Sequence, residues 1–281
     1  MKVFKKTLEL KNELDILSKQ GKKIGFVPTM GALHHGHIEL VVRSVKDNDI
    51  TVASIFVNPT QFNNPEDLKK YPRMPEKDIA MLENANCDYV FLPDYDEVYP
   101  KIDTTNYDFG MLEKVMEGKF RPGHFKGVGM VVKRLFEIVE PDNAYFGLKD
   151  YQQFLVIKSL VNQFDIPVNI VGCETIREHD GLAMSSRNLR LSDEQRKEAP
   201  EIYKSLSFIK KHIEDKSVLE WKQWFKDKIN ALSQLKVEYI EISDAITLEE
   251  VSLFDDSKSL VICVAVFAGE IRLIDNVLIN D

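Results

Sequence analysis

The chain has 281 residues, 44% hydrophobic and 29% charged, with a formal net charge of −8. These proportions describe a globular protein with length for one large domain or two ordinary ones. Extended nucleic-acid binding is disfavoured, since it draws its affinity from Lys and Arg on phosphates, and the most apolar run, LVICVAVFAG at 260–269, is too short to span a bilayer.

The N-terminus carries lysines but no apolar core or cleavage site, so no signal peptide is read there. KIGFVPT (23–29) reads as a strand, and 37–47 as a helix with Ile38, Val41, Val42 and Val45 at helical spacing. ITVASIFV (50–57) is an apolar, β-branched strand. A helix follows over 75–85 with Pro near its start, then a strand, DYVFLP (88–93). Residues 119–134 hold Lys119, Arg121, Lys126, Lys133 and Arg134 with no acid, and lead into a helix over 125–138. AYFG (144–147) is a strand, 150–164 a helix, and PVNIVGC (167–173) a further strand. This alternation predicts a parallel sheet covered on both faces. Past about residue 176 the rhythm changes. Charged amphipathic helices over 192–215 and 217–232 precede strands at 237–243, 259–268 and 270–275. The predicted fold is α/β, a Rossmann-like doubly wound sheet over 1–175, with a smaller α+β domain over 176–281 covering its cleft. Cys87, Cys173 and Cys263 lie far apart with no metal or disulfide spacing, which points to small buried side chains in a reducing, cytoplasmic setting.

Five stretches carry polar chemistry, most of them at predicted carboxyl ends of strands, where open parallel sheets bind ligands. PTMGALHHGH (28–37) joins a strand to a helix. Its glycines permit tight turns, and the free N–H groups of the helix start favour an anion. A lone turn histidine is more often a filler; His34 and His37 together, with Gly31 and Gly36, read as a phosphate site. SIFVNPTQF (54–62) ends a strand with Asn58 and Gln61, neutral groups suited to a hydroxyacid, although Asn58 also suits a turn. EGKFRPGHFKGV (117–128) reads equally as a solvated loop or a phosphate-facing one. In AYFGLKDYQQ (144–153), Lys149 can meet phosphates as a point charge while Asp150 caps a helix. REHDGLAMSSRN (177–188) sets two hydroxyls beside a guanidinium, either a helix-start cluster or a clamp on a triphosphate.

HxGH after a first strand resembles the signature of the HxGH nucleotidyltransferases. The full PTMGALHHGH, with RPGHF, GxKDxQQ and AMSSRN, is similar to the pantothenate synthetase (pantoate-β-alanine ligase) family over essentially the whole chain. That resemblance implies ATP-dependent condensation of pantoate with β-alanine through a pantoyl adenylate. It implies catalytic roles for His37, as donor to the phosphates, and for His34, Lys149 and Arg187. ATP is expected at Met30, Gly31, Ala32, Leu33, His34, His35, Gly36 and His37; at Gly147, Leu148, Lys149 and Asp150; and at Ile176, Met184, Ser185, Ser186 and Arg187. His35 is given no chemistry of its own. Pantoate is expected at Asn58, Gln61, Arg121 and Gln153, and β-alanine at Gln61. Mg²⁺ is expected on the ATP phosphates; no protein ligand is assigned to it, Asp78 included. The family also implies a homodimer and, as partners, only the small substrates, with no nucleic acid or membrane. Two other readings are a nucleotidyltransferase acting on a phosphate-bearing substrate, which Gln61, Gln153 and the MSSRN form argue against, and a non-catalytic nucleotide sensor. A tRNA synthetase is disfavoured by the acidic charge and the absence of an anticodon-binding domain.

Overall fold

A computed structural model describes residues 1–62 and 65–279. The chain opens with β1 (Lys2–Phe4) and α1 (Thr7–Lys19), neither of them expected. Their apolar signal is thin: one buried residue in β1, and Leu10 and Leu14 in a helix otherwise rich in charge. The expected strands form as β2 (Ile24–Thr29), β3 (Ile50–Ile55), β4 (Tyr89–Phe91), β5 (Asn143–Gly147) and β6 (Asn169–Cys173). All pair in parallel, in the order β1-β4-β3-β2-β5-β6. From β2 the chain winds outward to β3 and β4 on one side, then crosses back to β5 and β6 on the other side of β2. That is the switch point at which a doubly wound sheet opens a crevice.

Alternate strand residues feed two cores. Phe26, Val52, Phe91 and Phe146 face one layer, and Val27, Ala53, Val90 and Tyr145 the other. Among the described residues, seven helices of the first part follow α1: α2 (His35–Asp47), α3 (Pro65–Lys70), α4 (Pro75–Asn84), α5 (Tyr95–Val98), α6 (Met116–Phe120), α7 (His124–Val139) and α8 (Tyr151–Gln163). The most deeply buried is α7, whose Phe136 meets the edges of Phe26 and Phe146 at 6.3 and 6.4 Å.

The single helix expected over 192–215 is two, α9 (Asp193–Glu198) and α10 (Glu201–Lys211), followed by a short 3-10 turn. Pro200 lies at the break, because its ring removes an N–H and crowds the preceding turn. After α11 (Val218–Asn230) come β7 (Leu235–Asp244), β8 (Leu260–Ala268) and β9 (Ile271–Ile279), an antiparallel sheet in sequence order. The central strand, β8, is apolar throughout because both its faces are covered. Ile262, Val264 and Val266 pack with Trp221 and Phe225 of α11, whereas Val261, Cys263 and Ala265 join the core of the parallel sheet's helices. Among the described residues no helix is long and apolar enough to cross a membrane.

One close approach ties this packing to the carboxyl edge of β3. A Cβ on Gly127 of α7 would lie 2.3 Å from the Thr60 carbonyl oxygen. Gly127→Ala is expected to destabilise the protein by about 1–3 kcal/mol, read as a lower denaturation midpoint at unchanged denaturant slope.

Candidate active site

Beyond β2 the chain wraps around a buried carboxylate. Thr29 donates its hydroxyl to the Ser54 carbonyl at 2.7 Å and accepts the Gly31 N–H at 3.1 Å. Gly31 and Ala32 then take positive φ, +80° and +52°. Asp78, from the first turn of α4 and 1% exposed, accepts the Ala32 N–H at 2.9 Å on one oxygen and the Leu33 N–H at 2.8 Å on the other. Residues 31–33 therefore turn toward Asp78. The sequence alone assigns Asp78 no role, because a contact 46 residues away leaves no local trace.

Helix α2 starts at His35, two residues earlier than expected, so His34 is its N-cap and His37 lies in its first turn. The His34 and His37 rings sit 4.0 Å apart, tilted by 36°. Gly36 is required by this arrangement, since a Cβ there would come within 3.0 Å of the His34 ring. His37 Nδ1 accepts the His34 backbone N–H at 3.4 Å, which leaves its proton on Nε2. His34 Nδ1 is buried without a partner. Burial, and then the neighbouring His34, pull the His37 pKa down to about 3; burial and then Lys149 pull that of His34 down to about 4. Both are neutral at pH 7. His35 points outward, with Nε2 3.2 Å from Glu39 Oε1.

At the end of β3, Asn58 is fully buried and lies beneath Gln61. It caps a 3-10 turn (Pro59–Gln61), donates to Gln61 Oε1 at 3.3 Å and to the Gly127 carbonyl at 3.1 Å, and accepts the Tyr99 hydroxyl at 3.0 Å. Gln61 Nε2 lies 3.0 Å from Met30 Sδ. His124 donates Nδ1–H to the Gln61 carbonyl at 2.8 Å, so its Nε2 carries the lone pair. Burial, then Arg121, bring its pKa to about 4. Its only signal in the sequence is membership of RPGHF, a segment in which Arg121 alone is singled out.

Lys149 and Asp150 follow β5 on a short 3-10 turn (Leu148–Asp150), Lys149 Nζ being 3.6 Å from Asp150 Oδ1. Loss of water around Asp150 favours its neutral form, but Lys149, Arg187 and Arg121 outweigh this and hold the carboxyl below the usual range. Ser185 accepts the Arg187 N–H at 3.2 Å and caps the turn Ser186–Arg190.

These groups face two adjoining cavities. One, of about 250 Å³, is lined by His34, His37, Gln61, Gln153, Ile176 and Met184, with Met30, Gly36, Gly147 and Ser186. The other, of about 590 Å³, lies between the 182–190 segment and β9. Arg121, Lys149, Asp150, Ser185 and Arg187 line both. Gly31, Ala32, Leu33, His35, Leu148 and Asn58 lie outside both linings. Neutral N–H donors, hydroxyls and the three cationic side chains shared by both cavities suit a phosphoanion, and the adjacent Gln61 and Gln153 suit a small polar acid.

Comparison with known proteins agrees with this chemistry. The family model described as Pantoate-beta-alanine ligase matches residues 2–278. A pantothenate synthetase from Porphyromonas gingivalis W83 is 50% identical over 281 residues, 100% of each chain. One from Bacteroides fragilis YCH46 is 48% identical, covering 99% of this chain and 98% of its own. The crystal structure of the Thermus thermophilus pantothenate synthetase superimposes with a TM-score of 0.91 at 42% identity, over 99% of each chain. The Francisella tularensis pantoate-beta-alanine ligase, solved with beta-gamma ATP and beta-alanine, gives 0.83 at 37% identity, over 99% of this chain and 97% of its own.

The buried neutral histidines set a sign for pH. Unfolded, they take up protons below about 6.5; folded, they do so only near 3–4. The unfolded state thus binds more protons in this window, so their contribution to stability is complete above pH 6.5 and is lost as pH falls. In NMR titrations the His34 and His37 rings are expected to stay neutral to below pH 5; midpoints near 6.5 would contradict the burial argument. Asp78→Asn turns one acceptor oxygen into a donor facing an N–H, and is expected to cost about 1–3 kcal/mol in thermal unfolding.

Proposed function

The chain belongs to the pantoate-β-alanine ligase family, and from that premise we propose that it condenses pantoate with β-alanine using ATP, through a pantoyl adenylate. In the first step a pantoate carboxylate oxygen attacks the α-phosphorus, and the bond from that phosphorus to the pyrophosphate oxygen breaks. In the second the β-alanine amine attacks the acyl carbon, the carbon–oxygen bond to AMP breaks, and the nitrogen loses a proton. The substrates supply both nucleophiles, so the protein's task is positioning and charge stabilisation.

The observation that carries this reading is the sharing of Arg121, Lys149, Asp150, Ser185 and Arg187 by two cavities, one of which also holds both signature histidines, Gln61 and Gln153. In this reading Lys149, Arg187 and the serines meet the phosphates, and Gln61, Gln153 and Arg121 meet pantoate. Asn58 acts by holding Gln61. His37, with a pKa of about 3 and its proton on Nε2, serves as a neutral hydrogen-bond donor to the phosphates. The bound ligands named for the Francisella relative support the substrate assignment.

When bound, Mg²⁺ supplies neutralisation of phosphate charge. Among the described residues no three His, Cys, Asp or Glu gather to hold a metal, both Asp78 oxygens are engaged by backbone N–H groups, and Asp150 is the carboxylate lining both cavities. Those residues fit an ion carried chiefly by phosphates, with Asp150 as the protein's contribution.

His37→Ala and Lys149→Ala are each expected to lower pantoate-dependent ATP–pyrophosphate exchange by about 10²–10³-fold while leaving the circular dichroism spectrum unchanged. Near-normal exchange in both would remove the assignment.

A further inference from the structure

Strand β9 is tied to the segments that present Lys149, Arg187 and Arg121. Asn276, 7% exposed, donates both amide hydrogens, to the Leu148 and Lys149 carbonyls, each at 2.9 Å. It therefore grips the backbone of the turn that presents Lys149. Asp275, 5% exposed, takes Arg177 in a two-point ion pair at 2.7 and 3.0 Å. Arg177 also donates to the Gly181 carbonyl at 3.1 Å and lies 3.5 Å above the Tyr203 ring. It closes the base of the excursion over residues 177–183, where Arg177 bridges to Ala183 and the Met184 N–H returns to the Ile176 carbonyl at 2.9 Å. Residues 184–187 follow directly. Arg272 makes a two-point pair with Glu117 at 2.7 and 2.6 Å, and Glu117 lies in α6, whose C-cap is Arg121.

Two of these grips share an acceptor. One oxygen of Asp275 accepts both Arg177 Nη2 at 3.0 Å and the Asn276 backbone N–H at 2.8 Å. A shift of β9 thus moves the Lys149 turn and the 177–187 segment together. Gln61, by contrast, is held by Asn58 and His124, which belong to other elements.

We propose that β9 is a positioning strand, with Asn276, Asp275 and Arg272 fixing the mutual placement of Lys149, Arg187 and Arg121. The inference rests on the functional reading above, in that Lys149 and Arg187 meet the triphosphate and Arg121 meets pantoate. The three residues act through the loops they hold and are positioning residues. A role in folding alone would lower the active fraction and leave ligand affinities unchanged. Loss of the Asn276 or Arg177 grip displaces Lys149 or Arg187 while leaving Gln61 held, and so weakens the nucleotide side selectively.

The test uses the full chain with Asn276→Ala and, to keep the charge while losing the two-point fork, Arg177→Lys. ATP with magnesium is titrated calorimetrically, and pyrophosphate exchange gives KM for ATP and for pantoate. The expected result is an ATP dissociation constant and KM raised about tenfold or more, a pantoate KM within twofold of wild type, and a cooperative thermal transition. ATP affinity within twofold of wild type in both variants overturns the proposal, as does an equal loss on the pantoate side. If Asn276→Ala does not fold, Arg177→Lys decides alone. If the wild-type protein shows no pantoate-dependent exchange, the functional reading fails, while selective loss of ATP affinity in the variants still upholds the positioning role.

Discussion

In the proposed reaction a carboxylate is brought against a triphosphate, and at close range in a partly dry cleft that like-charge repulsion amounts to several kcal/mol. The arrangement of the site follows from the need to oppose it. Cationic groups must be gathered, yet Lys149, Arg187 and Arg121 repel one another before any substrate arrives. The fold meets this by taking each from a different loop and setting acids among them. Asp150 lies beside Lys149, and Glu117 lies 3.8 Å from Arg121 while paired to Arg272. Neutral histidines add donors without adding to the charge, and their depressed basicity is the consequence of a buried pair of rings.

The parallel sheet makes that gathering possible. Its carboxyl edge collects the ends of β2, β3 and β5, which are distant in sequence and adjacent in space. Each strand end bears its own polar cluster, and these clusters line one crevice because the chain winds to opposite sides of β2.

Much of this was legible from residue patterns. Long apolar strands and strongly periodic helices stand out in the sequence, and the clusters at strand ends can be picked out before their meeting place is known. What escaped has a common cause. β1 is three residues long and α1 buries a narrow stripe, so neither produces a period. Pro200 divides what the charge pattern presents as one helix. The start of α2 at His35 is set by the capping geometry of His34, which periodicity does not register. Asp78 and His124 act through contacts tens of residues away or through backbone atoms, and no local rule marks such residues. Asn58 reads from sequence as a ligand or a turn former, and in the structure its polar atoms shape the turn that carries Gln61.

The double coverage of β8 bears on how such a chain can be inherited. Sequence rhythm suggests two units that could be shuffled separately. Yet Val261, Cys263 and Ala265 look into the first core while their alternating neighbours look into the second. Cutting near residue 176 would bare one side of a strand that has no polar side to offer, leaving a sticky sheet in place of a free-standing module. Recombination that exchanged only the C-terminal portion would also have to match that face, so the two parts are constrained to evolve as a single heritable piece.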